Sequence, residues 1–392
     1  MRLRVGLHTE APLAISVGRA TGNQLSTVRH IPGAAWRGAL ADACINERGL
    51  DQPRAGEDPV FSQIFLSGAV RFNDLRPGRA RPWPLSARRC TTYGEGHRVL
   101  DLLLASMDAK PRLPVECPER MDMVGGASCA AKLSLPQEDF YEWRGERPTS
   151  AGPVTRITAH TAISNATLRV REGQFFTAEV IERGAEFEGE IWCEMDPGGE
   201  AARWLTGEER LVTIGRGATR GQGWARLQVS FAQGHQPGEP ERRKEGEQRL
   251  RDLNEVFKSD GKVVFTCTLL SPCVALDDWL NGRPYLTAAD VEEAAGETGT
   301  LAGYELAAWY SRTETVSGWN SAAGLPKADT AAIAAGSAFV FQKNVAKQER
   351  ENEFRRLAGI FCKVQRGIGE RWEEGFGELE FCDEFHVRQR VL

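Results

Sequence analysis

Residues 215–229, Gly215-Arg216-Gly217-Ala218-Thr219-Arg220-Gly221-Gln222-Gly223 followed by Trp224-Ala225-Arg226-Leu227-Gln228-Val229, read as a glycine-rich loop feeding a strand of alternating polarity. A second stretch, GIGERWEEGFGELEF at 367–381, aligns with it without a gap at an offset of 152 residues. In that alignment Gly215, Gly217 and Gly223 meet Gly367, Gly369 and Gly375, while Trp224, Leu227 and Val229 meet Phe376, Leu379 and Phe381. A unit repeated late in each half of a chain predicts two related α+β domains. We place them at 1–233 and 262–392, with 234–261, charged and polar, as a linker carrying a short helix.

The two copies differ in charge. The first carries Arg216, Arg220 and Arg226 without an acid, whereas the second sets Arg371 against Glu370, Glu373, Glu374 and Glu378. Closely spaced glycines let backbone N–H groups approach a phosphate, and arginines add charge-assisted bonds. Gly215, Arg216, Gly217, Arg220, Gly221 and Gly223 are therefore candidate phosphate-binding residues. Without the arginines and the repeat, a tight connection between strands would be the better reading. The acidic copy would repel RNA and is expected to face protein or solvent.

Working outward, Arg2-Leu3-Arg4-Val5-Gly6-Leu7 alternates as a half-buried strand with a basic outer face. Pro32 and Gly33 mark a turn, and Trp36, Leu40, Ala43 and Cys44 recur as the stripe of a helix ending near Gly49. Free N–H groups at that helix start, beside Arg37, would form an anion site. Residues from about 76 to 150, rich in Arg, Pro and Cys, lack periodicity and read as an irregular insertion. Strands are expected at 156–162, 175–181 and 187–193, the last two forming a hairpin across Glu182-Arg183-Gly184-Ala185. Arg156 to Arg169 is a second candidate contact region.

The bulk numbers limit the function classes. With 392 residues, 41% hydrophobic and 26% charged, the chain has material for two or three cores, and its net charge of −5 confines any nucleic-acid contact to local patches. No run approaches the roughly 20 apolar residues of a membrane span. The N-terminus lacks a secretory pattern, so a cytoplasmic protein without a membrane partner is expected. Nine cysteines, an odd number widely scattered, point to reduced thiols.

Three elements then resemble one family. HIPGAAWRGAL at 30–40 resembles the "IPGSSLRGAL" element of the RAMP superfamily, the repeat-associated proteins of CRISPR effector complexes. GRGATRGQG resembles that superfamily's signature loop, and ITAHTAISN at 157–165, with the stretch from Gly173 to Phe187, is similar to a further conserved element. The HTAI spelling, the length and the Cys-bearing insertion look most like the large RAMP subunit of subtype III-D complexes. The resemblance implies two tandem ferredoxin-like (RRM-related) domains. It implies a non-catalytic RNA-binding structural subunit, in antiviral defence, that holds the 5′ handle of the guide RNA. Its implied partners are the large signalling subunit, the backbone RAMP subunits and, as a further RNA, the target. His30, Arg37, Arg156, His160, Asn165 and Arg169 join the loop residues as candidate RNA contacts.

Two rival functions remain on the page: an endoribonuclease using His30 or His160 as general acid/base, and a protein-only assembly scaffold. No catalytic residue is assigned. Cys90, His97, Cys117 and Cys129 offer four ligands of zinc-compatible type within the insertion. Related members carry a Cys-x-x-Cys pair here, whereas Arg120 stands where the partner of Cys117 would fall. A structural zinc is one reading of these four and unliganded thiols the other; neither requires a further cofactor.

Overall fold

Alternation in the first strand decides which side of it is core. β1 (Arg2–Thr9) turns Leu3, Val5 and Leu7 inward and Arg2, Arg4 and Gly6 outward. A computed structural model of the chain describes residues 1–16, 23–107, 116–121, 127–163, 170–231, 238–257, 261–320 and 324–389. In it the fold is a mixture of helix and sheet.

In the first half α1 (Gly33–Arg48) buries Trp36, Leu40 and Cys44, four residues apart, and ends where Gly49 turns left-handed at φ 61°. After α2 (Pro59–Phe65) comes β2 (Val70–Phe72). Then follow the insertion, the long pair β3 (Thr155–Ile163) and β4 (Val170–Ile181), and β5 (Glu186–Cys193). α3 (Glu200–Leu205), β6 (Arg210–Thr213) and β7 (Trp224–Phe231) complete the half. The sheet order is β6-β7-β1-β5-β2, with β1 antiparallel to both neighbours. Leu3, Leu40, Phe72, Phe187 and Leu227 share its core.

The second half repeats the plan. β8 (Lys262–Leu269), α5 (Ala288–Ala294), β9 (Glu305–Tyr310), β10 (Ala338–Asn344), α6 (Arg350–Lys363) and β11 (Leu379–Phe381) give the sheet order β9-β10-β8-β11. α7 (Glu384–Arg388) closes the chain. Phe265, Phe339, Phe341 and Leu357 fill this core.

Hydrogen bonds fix the equivalence residue by residue. Gly223 N–H donates to Pro12 O at 2.9 Å and Gly377 N–H to Pro272 O at 2.7 Å; Arg216 N–H donates to Ala14 O at 2.8 Å and Glu370 N–H to Val274 O at 2.9 Å. The repeat is therefore present, but its loops correspond at an offset of 154, not 152. Gly215 matches Gly369, Gly221 matches Gly375, and Gly217 matches Arg371, which holds a left-handed φ of 60° where its counterpart has 83°. Counting glycines slipped the alignment by two residues because an arginine occupies one of the positions that usually requires glycine.

Two local expectations are corrected. Phe175–Ile181 does not form a hairpin with 187–193. It pairs upstream, Thr155 with Ile181 and Thr161 with Phe175, as an arm to which Gln24–Leu25 adds a short parallel strand, while β5 goes to the main sheet. The stretch 234–261, expected to be a linker carrying a short helix, is mostly one 19-residue helix, α4 (Glu239–Phe257), which places Leu250 and Leu253 in the second core. Charge hid the length of this helix because only one narrow stripe of it is apolar. Asn254 locks it down: its amide donates to Leu250 O and Val264 O, both at 2.8 Å, and accepts from Val264 N–H at 2.9 Å. Asn254→Ala should cost about 1–3 kcal/mol by leaving buried groups unpaired, read as a lower urea midpoint.

The insertion is less irregular than its composition suggests. Short strands at Ala87–Cys90, Phe140–Arg144 and Arg147–Ala151 order it. It leans on the second half, where Leu103 and Leu104 enter the core and Leu85 N–H donates to Gly336 O at 2.8 Å.

Candidate nucleic-acid interface

The first glycine loop hangs on the segment after β1. Gly215, Gly217, Gly221 and Gly223 all have φ between 76° and 83°. A Cβ on Gly215 would lie 2.2 Å from Ala14 O, so the backbone approach itself requires glycine there. Around this scaffold Arg216 and Arg220 are exposed, and among the described residues neither side chain has a hydrogen-bonding or ionic partner. Arg226 differs: it binds Glu10 at 2.7 Å and Glu209 at 3.2 Å. Its hydrogen bond holds the Glu10 carboxyl below its ordinary range.

The β3/β4 arm roots beside the same segment, where Leu13 and Ile181 exchange backbone hydrogen bonds of 2.9 and 2.7 Å. The loop and the arm are thereby neighbours. Ile157 is 66% exposed and Phe175 51%, so the arm presents apolar surface to solvent rather than to a core. Arg156 is exposed, 3.8 Å from Glu182. His160 stacks on Phe176 at 5.0 Å, and its Nε2 lies 3.0 Å from Thr158 Oγ1. Asn165 and Arg169 lie outside the described residues.

Arg37 is not brought to this surface. Its guanidinium donates to Phe65 O and lies 5.9 Å from the Phe72 ring, tying α1 to α2 and β2. Nor is the helix start free for an anion, because Gly33 N–H already donates to Asp74 Oδ1 at 2.8 Å. His30 sits 3.6 Å from the same carboxyl and edge-on to Phe140. Burial pushes its pKa down against the pull of Asp74, which keeps the ring neutral.

His30 lines a cleft of about 490 Å³ between the two halves and the insertion. Arg29 and Arg312 line it as well, opposite Glu138, Asp139 and Glu314, the last with its pKa raised by burial. Arg29 and Arg312 were missed from sequence. Arg312 stands just before the strand Thr313–Val316, whose partner strand Thr330–Ile333 meets Cys273 as Ile181 of the arm meets Leu13, so extending the repeat would have drawn attention to it.

The acidic loop is an internal joint. Arg71 donates to Phe376 O at 3.2 Å, Arg76 pairs with Glu378, and Arg366 lies over both Trp192 and Trp372. The expectation that it faces protein holds, with the protein being the first half of the same chain.

A family model described as the RAMP superfamily matches residues 7–226, and one described as CRISPR-associated protein (Cas_Cmr3) matches 149–381. The chain is a RAMP protein of the Cas_Cmr3 family. No curated protein matches it. Among solved structures, this RAMP protein is similar to a chain of the type III-B Cmr-beta complex bound to cognate target RNA, with 13% identity, 91% of this chain and 94% of that chain covered, and a TM-score of 0.39. A chain of the same complex with target RNA and AMPPnP gives 12%, 91%, 94% and 0.41. The crystal structure of Cmr4 gives 13%, 59%, 99% and 0.25. The two family models overlap on 149–226, which contains the arm and the arginine loop. No helix among the described residues is long and apolar enough to cross a membrane.

Proposed function

We propose that this RAMP protein is a non-catalytic structural subunit of a type III CRISPR effector complex that holds the 5′ handle of the guide RNA. One observation carries the reading: two topologically equivalent loops have opposite fates. The acidic one packs against the first half through Phe376 and Glu378, while the arginine one is open with two cations unpartnered among the described residues. Phosphates fit such a loop. Trp224, half-exposed at the end of the loop, and Phe175, further out on the arm, offer faces on which unstacked bases can lie.

Both halves are read as ferredoxin-like units. Each runs strand, helix, strand, strand, helix, strand, and places its four main strands in the order fourth, first, third, second. The III-D assignment rests on the HTAI spelling and the cysteine insertion. The non-catalytic reading rests on His30, which lines the cleft but is held against Asp74 and Phe140, and on His160, already engaged by Thr158 and Phe176. Contacts with the large signalling subunit and the backbone subunits follow from the same reading.

The test is to co-express the chain with a CRISPR array and its neighbouring subunits and to map the 5′ ends of the RNA that co-purifies. Wild type should carry guides sharing one repeat-derived 5′ end. Arg216→Ala/Arg220→Ala should lose at least tenfold in RNA retention, and the salt dependence of binding should fall by about two charges' worth. Unchanged RNA in the double variant would overturn the reading in favour of a protein-only scaffold.

A further inference from the structure

Nine cysteines divide into two groups once the fold is known. Cys44, Cys193, Cys267, Cys273 and Cys382 are buried singly in the two hydrophobic cores, where they serve as small apolar residues, and Cys362 is half-buried. Cys90, Cys117 and Cys129 do the opposite. They converge with His97 so that the four ligand atoms all lie within 4.8 Å of one another.

The convergence has metal-site dimensions. Two thiolates on one tetrahedral zinc, at bonds of about 2.3 Å, stand about 3.8 Å apart. Cys90 Sγ and Cys129 Sγ are 3.8 Å apart, nearly twice the ~2.05 Å of a disulfide. His97 Nδ1 is 3.2 Å from Cys117 Sγ. The ligands arrive on two independent turns. One runs from Cys90 to His97, with Gly94 left-handed at φ 52° and Tyr93 N–H donating to Cys90 Sγ at 3.4 Å. The other is held by Cys117 N–H to Ala131 O at 2.7 Å and Cys129 N–H to Glu119 O at 2.8 Å. The Tyr93 ring stacks on His97 at 4.5 Å, which keeps Nδ1 turned toward the sulfurs, the orienting role of a second layer around a metal.

We propose that Cys90, His97, Cys117 and Cys129 bind one structural zinc ion that ties the two turns of the insertion to each other. Three thiolates and one imidazole make a closed, soft donor set suited to zinc and unsuited to magnesium or calcium. With all four positions taken by protein, the ion has no place for a reactive water. Its contribution is to order. The insertion's own apolar cluster consists of Trp83, Ala87, Val99, Tyr141 and Phe385, and Phe385 comes from the second half. A cluster that small cannot hold the cysteine turns, so a metal supplies what the core lacks. Cys90 ends the strand Ala87–Cys90, which pairs with Leu100–Asp101, and Asp101 in turn binds His386. The inference is independent of the RNA reading, because it concerns different residues and a different readout.

The experiment uses the full chain purified without chelator or histidine tag. Elemental analysis should find about one zinc per chain, retained by Cys362→Ser and lost from Cys90→Ser/Cys129→Ser. A strong chelator should lower the melting temperature, and zinc, but not magnesium, should restore it. Should the double variant fail to fold, cobalt exchanged into wild type should give a tetrahedral thiolate spectrum, and His97→Cys should shift it toward four thiolates. Wild-type protein without zinc and indifferent to chelator, zinc retained by the double variant, or a cobalt spectrum unmoved by His97→Cys would each overturn the proposal.

Discussion

Asp101→Ala is expected to cost about 3–5 kcal/mol of stability, the loss typical of a buried ion pair deprived of one partner. Asp101 and His386 are 1% and 0% exposed, with Oδ2 and Nδ1 2.8 Å apart. The other carboxyl oxygen accepts from Ser86 Oγ, and His386 Nε2 lies 2.8 Å from Thr268 Oγ1. The order Asp-His-Thr imitates a hydrolase relay, yet no solvent or cleft reaches it, so it is a joint between the insertion and the second half. Burial, the largest influence, pulls the His386 pKa down; the charge and hydrogen bond of Asp101, with Asp383 behind it, more than reverse this, and the net direction is up. A histidine raised above its unfolded value near 6.5 contributes stability that is complete below about pH 6.5 and is lost as pH climbs through its folded value. Urea midpoints measured across that range should fall for wild type and lose this slope in Asp101→Asn, which keeps the shape and removes the charge. A flat wild-type profile, or an unchanged midpoint in Asp101→Ala, would sink the assignment.

The sequence made the architecture legible where a pattern was local. Alternation at Arg2–Thr9 and the Trp36, Leu40 and Cys44 stripe formed as read, and the glycine loops formed with their mutual register two residues away from the one read. Failures came where the deciding partner was distant. The arm was misassigned because Phe175–Ile181 is equally strand-like beside either neighbour, and only Leu13, far upstream, selects the pairing root. The helix start looked like an anion site because nothing near Gly33 in sequence reveals that Asp74 caps it. Arg37 was misread for the same reason, since its acceptor is the carbonyl of Phe65. In the Cys90, His97, Cys117 and Cys129 cluster the residue types were visible, but without a Cys-x-x-Cys pair their convergence depended on the turn of Cys90–His97 meeting the strand pair of Arg120–Met121 with Ala127–Ser128.

Gly33→Ala and Gly38→Ala, five residues apart in α1, should move stability in opposite directions. Nothing lies within 4 Å of a Cβ built on Gly38, so alanine there should add about 0.8–1 kcal/mol through helix propensity alone. A Cβ on Gly33 would stand 1.9 Å from Phe72 O and 2.4 Å from Glu374 O, both rigid backbone, and neither can rotate away. Overpacking of this kind should cost about 3 kcal/mol, read as a lower urea midpoint. Phe72 belongs to the first sheet and Glu374 to the acidic loop of the second half, so the substitution strains the first half and its seam with the second together. Equal midpoints for the two variants would mean that neither Phe72 nor the acidic loop presses on α1. The contact also explains why the two loops diverged. Position 374 can carry glutamate because Lys327 and Arg371 neutralise it where it meets the helix, each at 2.8 Å. In the first loop Arg216 and Arg220 stay exposed, without a side-chain partner among the described residues.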